Sequence, residues 1–154
     1  MIIDQANFSN FYLLRCSGGD TCESVLTELS EYVIDKNLAT KDHTKAILER
    51  EAVYPTGIQA CTGIAIPHTD SEYTKNAAVV VAILDKPSKF KTMGGSGEVD
   101  VEIVFMLLVD KPENQVKVLG TLVDLIQNEN DINKLKSKGD EALKLLSEKF
   151  SNLL

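Results

Sequence analysis

The run from Ala77 to Leu84 (AAVVVAIL) is the strongest constraint this chain places on its own fold. It offers no polar face to water, so a strand built from it must be buried on both sides, within a sheet covered by helices front and back. A second run, Val99 to Val109, starts by alternating Val99, Val101 and Ile103 against Asp100 and Glu102, then becomes wholly apolar. That pattern describes a strand entering the core from a solvent-exposed edge. Phe11 to Cys16 (FYLLRC) and Gly63 to Pro67 (GIAIP) read as shorter strands, the first ended by Ser17-Gly18-Gly19. Lys86 to Gly97 carries a proline and two adjacent glycines and reads as a loop or hairpin connection.

Between these strands the apolar period becomes helical. Asp20 is placed to cap a helix, with Glu23 completing a capping box, and Cys22, Val25, Leu26, Leu29 and Val33 form one face. A second helix starts at Thr40, carries Ala46, Ile47 and Arg50, and ends before Pro55. Pro112 suits the first turn of a third, where Val116, Leu119, Val123 and Ile126 form a stripe with Val118, Leu122 and Leu125 beside it. This helix is therefore expected to be broadly buried. Asp131 to Lys138 and Asp140 to Phe150 give two further helical segments. The expected order is β-α-α-β-β-β-α-α-α: an α/β sandwich with a central mixed β-sheet covered by helices on both faces. No linker or repeat divides residues 1–154, so one domain is expected.

Charge and composition remove several classes of function. The 154 residues hold 16 Lys and Arg against 23 Asp and Glu, a net charge of −7, which disfavours nucleic acid as the main partner. No apolar run approaches the roughly 20 residues of a membrane span, and the opening Met1-Ile2-Ile3-Asp4 lacks the basic start of a secretory signal. Three unpatterned cysteines argue against a disulfide framework, so a reducing cytoplasm is expected. Two histidines cannot build a three-histidine zinc site.

The sharpest chemical feature is Gly63-Ile64-Ala65-Ile66-Pro67-His68-Thr69. A proline holds the backbone just before His68, displaying the imidazole on a rigid strand end. Near its reference pKa of about 6.5, a free ring nitrogen is available as a nucleophile at neutral pH. A structural strand-end histidine is the plain alternative. If the ring accepts phosphate, Arg50 is the candidate to stabilise it, since guanidinium binds phosphate oxygens bidentately. Otherwise Arg50 is a solvated helix-face residue paired with Glu49 or Glu51. Thr56, in Tyr54-Pro55-Thr56-Gly57, adds a hydroxyl donor or simply serves the turn.

Other candidates are weaker. His43 reads as a solvated histidine at a helix start. Cys16 precedes a glycine loop and a helix, as in phosphate-binding thiolate loops, but Asp20 places an anion where thiolate stabilisation needs a cation. Cys22 falls on a buried stripe and Cys61 suits packing or a turn. Gly94, Gly95 and Gly97 lack the strand-then-helix context of a nucleotide loop. Asp124 and the charged residues of the C-terminal segments, including Lys134, Lys136, Lys138 and Lys144, read as exposed and balanced.

Leu48-Glu49-Arg50-Glu51, the Pro-Thr-Gly turn, Gly-Ile-Ala-Ile-Pro-His, two apolar strands and then Asn114-x-x-Lys117-x-Leu119 resemble the fructose/mannitol-type EIIA domain of the bacterial phosphoenolpyruvate:sugar phosphotransferase system. The resemblance runs from about Asp20 to Phe150. It implies that HPr phosphorylates His68 on Nε2, that Arg50 stabilises the phosphate, and that His68 passes the group to a cysteine of EIIB. The membrane component EIIC is then an indirect partner, and neither cofactor nor metal is required. Thr56, Thr69 and Gln115 become supporting neutral groups. Three departures stand out. Thr69 replaces the usual glycine after the histidine, and Ala60-Cys61-Thr62 replaces a Leu-Gly-acidic approach. Gln115 stands where many members carry a second histidine. Gln at that place and Arg-Glu-Ala-x-x-Pro-Thr-Gly-Ile resemble the galactitol-type branch, which favours galactitol or a related polyol or hexose. A regulatory module of the same fold, its phosphorylation state controlling a protein partner, is the alternative. A hydrolase using His68 as general base finds no supporting constellation.

Overall fold

The computed structural model describes residues 1–137 and 139–154. In chain order it holds β1 (Ile2–Phe8), β2 (Phe11–Gly18), α1 (Cys22–Asp35), α2 (His43–Val53), β3 (Gly57–Gln59) and β4 (Gly63–Ala65). A 3₁₀ turn over Ser71–Tyr73 follows, then β5 (Ala78–Lys91), β6 (Glu98–Leu108), α3 (Pro112–Ile126), α4 (Glu129–Lys136) and α5 (Asp140–Phe150). The strands form one six-stranded sheet in the order β1-β2-β5-β6-β4-β3. β2–β5 and β4–β6 pair in parallel, while β1–β2, β5–β6 and β3–β4 are antiparallel, so the sheet is mixed as expected.

The two apolar runs pair with each other at its centre, Ala78 opposite Leu108 and Val81 opposite Phe105. Because successive strand side chains point to opposite faces, one register fills two cores. Val79, Val81, Ile103, Phe105 and Leu107 pack with α3, α4 and α5. Ala78, Val80, Ala82, Val104 and Met106 pack with Leu26, Leu29 and Val33 of α1 and Ile47 of α2. Helices therefore cover both faces.

Several local expectations are corrected. Two strands absent from the sequence reading, β1 and β3, close the sheet's edges. β1 is exposed along nearly its whole length and so carries no burial pattern; β3 is only three residues long. The α1 cap is Thr21, not Asp20: its Oγ1 accepts from Ser24 N at 3.1 Å. The second helix is regular only from His43, not Thr40. Of the expected loop Lys86 to Gly97, Lys86 to Lys91 is strand. Ser88 and Phe90 turn inward while Lys89 and Lys91 face out, with Pro87 at a register irregularity where no ladder bond is needed. On α3 the buried stripe is Val118, Leu122, Leu125 and Ile126, whereas Val116 is 76% exposed and Val123 37%. The helix is amphipathic, not broadly buried, because only its sheet side is covered. Lys138, the expected end of a helical segment, lies outside the described residues, and α4 runs Glu129–Lys136.

Candidate active site

Arg50 and His68 approach each other because a short relay of hydrogen bonds ties α2 to the end of β4. Glu51, the neighbour of Arg50, turns inward and is 7% exposed. Its two carboxylate oxygens accept from Thr56 N and Thr56 Oγ1, each at 2.6 Å. Pro55 ends the helix and makes that return possible. The Thr56 carbonyl then accepts from Ile66 N at 3.3 Å, extending the β3–β4 pairing in which Gly57 lies opposite Ala65. On the other flank Leu107 N donates to the Pro67 carbonyl at 3.2 Å. The two residues before His68 are thus pinned from both sides.

His68 itself is half-buried. Its Nδ1 lies 2.8 Å from the Ile66 carbonyl oxygen. A carbonyl only accepts, so Nδ1 carries the proton and the neutral ring presents its lone pair at Nε2. The ring's pKa lies below the usual histidine value. Burial is the main cause; the Ile66 carbonyl opposes it, the Arg50 charge adds to it, and the Asp70 charge opposes it. At neutral pH this leaves an unprotonated nucleophilic nitrogen beside a permanent cation, as group transfer to nitrogen requires.

Arg50 is oriented by groups that sequence reasoning did not assign. It stacks on Tyr54, Cζ lying 4.9 Å from the ring centroid, and pairs with Asp70 at 3.9 Å rather than with Glu49 or Glu51. Asp70 stands two residues beyond His68, a spacing that could have suggested it. Glu51 lay in plain view in the Arg-Glu pair, but nothing local marks a helix glutamate as buried.

The remaining candidates are placed as follows. Thr56 is buried, and its hydroxyl donates to Glu51. Thr69 is half-buried beside His68. Gln115 is half-buried in the first turn of α3, at the sheet end where β4 and β6 both finish, and makes no hydrogen bond to the His68 ring among the described residues. His43 is corrected outright: it is fully buried, with Nδ1 2.7 Å from Ser30 Oγ and Nε2 without a partner among the described residues. Burial pushes its pKa down to about 4. Cys16 is buried, and burial, aided by Glu28, pushes its thiol up to about 11. Burial and then Glu51 push Cys22 up to about 12. Neither is a nucleophile at neutral pH. Cys61 is exposed in a bend and donates to the Ile126 carbonyl at 3.3 Å. Among the described residues no group of three or more His, Cys, Asp or Glu is arranged to hold a metal ion. A cavity of about 830 Å³ between α1, α2 and the β5–β6 hairpin is lined by neither His68 nor Arg50.

A neutral, tautomer-fixed histidine, within reach of an arginine's charge, follows a short strand of the mixed sheet. The chain belongs to the phosphoenolpyruvate-dependent sugar phosphotransferase system EIIA 2 family, whose sequence pattern matches residues 12–149. It is accordingly a phosphotransferase component of a sugar phosphotransferase system. It is 28% identical over 121 residues to the galactitol-specific EIIA component of Escherichia coli K12, covering 78% of this chain and 81% of that protein. It is also 32% identical over 91 residues to the transcriptional regulator ManR of Bacillus subtilis, 59% of this chain but 13% of that protein. Its fold matches the Escherichia coli complex of enzyme IIAMTL and phosphorylated enzyme IIBMTL with a TM-score of 0.69 and 22% identity, over 87% of this chain and 94% of that one.

Proposed function

We propose that this chain accepts a phosphoryl group from phospho-HPr on Nε2 of His68 and passes it to a cysteine of EIIB during sugar or polyol uptake. The single observation that carries the proposal is the His68 Nδ1 bond to the Ile66 carbonyl, which directs the nucleophilic lone pair to Nε2. In the first step the Nε2 lone pair forms a bond to phosphorus as the donor's bond breaks, and that electron pair leaves with the donor nitrogen. No proton has to leave His68, because Nδ1–H stays on the carbonyl. Arg50 holds the transferring oxygens, with Thr69 and Gln115 as neutral donors and Thr56 in support. In the second step a partner thiolate attacks phosphorus and the electron pair returns to Nε2. Neither step needs a cofactor or a metal.

Galactitol or a related polyol or hexose is the favoured substrate class, supported by the similarity to the galactitol-specific component and by Gln115. The described residues include no helix long and apolar enough to cross a membrane. The ManR similarity favours a second reading, in which the phosphorylated domain governs a regulatory partner.

Incubation with phosphoenolpyruvate, enzyme I and HPr tests the site. The expected product is an acid-labile, base-stable adduct seen by mass spectrometry and lost in His68→Ala. An adduct that persists in that variant overturns the assignment. Adding EIIB proteins then separates transport from regulation, since onward transfer to a cysteine is expected only in the first case.

A further inference from the structure

The geometry points to Asp70 as the resting counterion of Arg50, a positioning residue that competes with the phosphoryl group and keeps the phosphohistidine easy to discharge. This rests on the phosphohistidine reading above. Arg50 Nη1 lies 3.9 Å from Asp70 Oδ1, with Arg50 37% and Asp70 71% exposed. A pair that open to water is weak and readily surrendered, unlike a buried one. Tyr54 stacks on the guanidinium from another direction and keeps it near the site when Asp70 lets go.

The two anions are alternatives for one cation. Asp70 is two residues from His68 on the same pinned segment, and both Arg50 and Asp70 are close enough for their charges to act on the imidazole, in opposite senses. When a dianionic phosphoryl group arrives on Nε2, Arg50 gains a stronger, bidentate partner and Asp70 loses its own. Part of the stabilisation that Arg50 gives the phosphohistidine is therefore offset by the pair it gives up. A carrier must hold the group long enough to deliver it and no more tightly than its acceptor does. Asp70 supplies that offset without touching the transferring atoms.

The test is the equilibrium partition of phosphoryl group between HPr and this chain, measured for the wild type, Asp70→Asn, Asp70→Glu, Arg50→Met and the Arg50→Met/Asp70→Asn double variant. Asp70→Asn should shift the partition toward phosphorylated His68 by about two- to fivefold, as expected for one exposed, partly screened pair. Asp70→Glu should restore the wild-type value, and the shift should shrink in the Arg50→Met background. An unchanged partition in Asp70→Asn overturns the proposal. An equal shift with and without Arg50 also overturns it, since Asp70 would then act on the phosphoryl group directly. NMR of the Arg50 Nε–H resonance in the unphosphorylated protein keeps the two readings apart. Asp70→Asn should move that resonance even if His68 never accepts phosphate, and an unmoved resonance removes the pair itself.

Discussion

The His43 imidazole stays neutral well into acid because burial holds its pKa near 4, against about 6.5 in an unfolded chain. Between those values the unfolded chain binds a proton that the folded protein refuses, so stability rises with pH across this window. The contribution is complete above about pH 6.5 and is lost as pH falls toward 4, amounting to about 3 kcal/mol. Urea unfolding at neutral pH and near pH 4.5 should show the loss, and His43→Gln should flatten the slope. At this scale the sequence was informative for His68 and misleading for His43. Pro67 restricts the backbone leading into His68 within the sequence itself, whereas His43 owes its setting to Ser30, a residue on another helix. Asp70 was hidden for the same reason, its partner Arg50 lying on α2; Glu51 is held by Thr56, in the turn directly after its own helix, and what stayed hidden is that this turn folds back to bury it.

At the scale of elements, α2 shows why periodicity alone has limits. Its buried face is His43, Ile47 and Glu51, evenly spaced by four residues but polar at both ends. Each polar end is accepted inside only because Ser30 and Thr56 supply hydrogen bonds. β4 is the element that aims His68, and Gly63 sets how closely it lies against β6. A Cβ there would collide with the Asp100 carbonyl oxygen. Gly63→Ala should therefore push the strands apart, lowering stability by about 1–3 kcal/mol in urea titrations and slowing phosphoryl acceptance. On α3 the two sides should respond differently. Leu122→Ala, fully buried, should cost about 2–5 kcal/mol. Val116→Ser, 76% exposed, should stay within about 0.5 kcal/mol.

For the whole molecule, the net charge of −7 belongs to encounter rather than to folding. If transfer begins with docking on a basic donor surface, its second-order rate constant should fall several-fold between low and high salt. The unimolecular lifetime of the phosphorylated form should change far less. Rapid-quench measurements across a salt series would show it. The amino-acid sequence alone determined that a central sheet would be buried on both faces, because Ala77 to Leu84 leaves no polar side to expose. It also placed His68 just after a short strand, although β4 ends at Ala65 rather than running to Pro67. Only the tertiary structure decided which residues surround that histidine. The Arg50–Asp70 pair and the burial of His43 arise where segments distant in sequence meet. Such contacts depend on register and packing, and those are settled only when the whole sheet has formed.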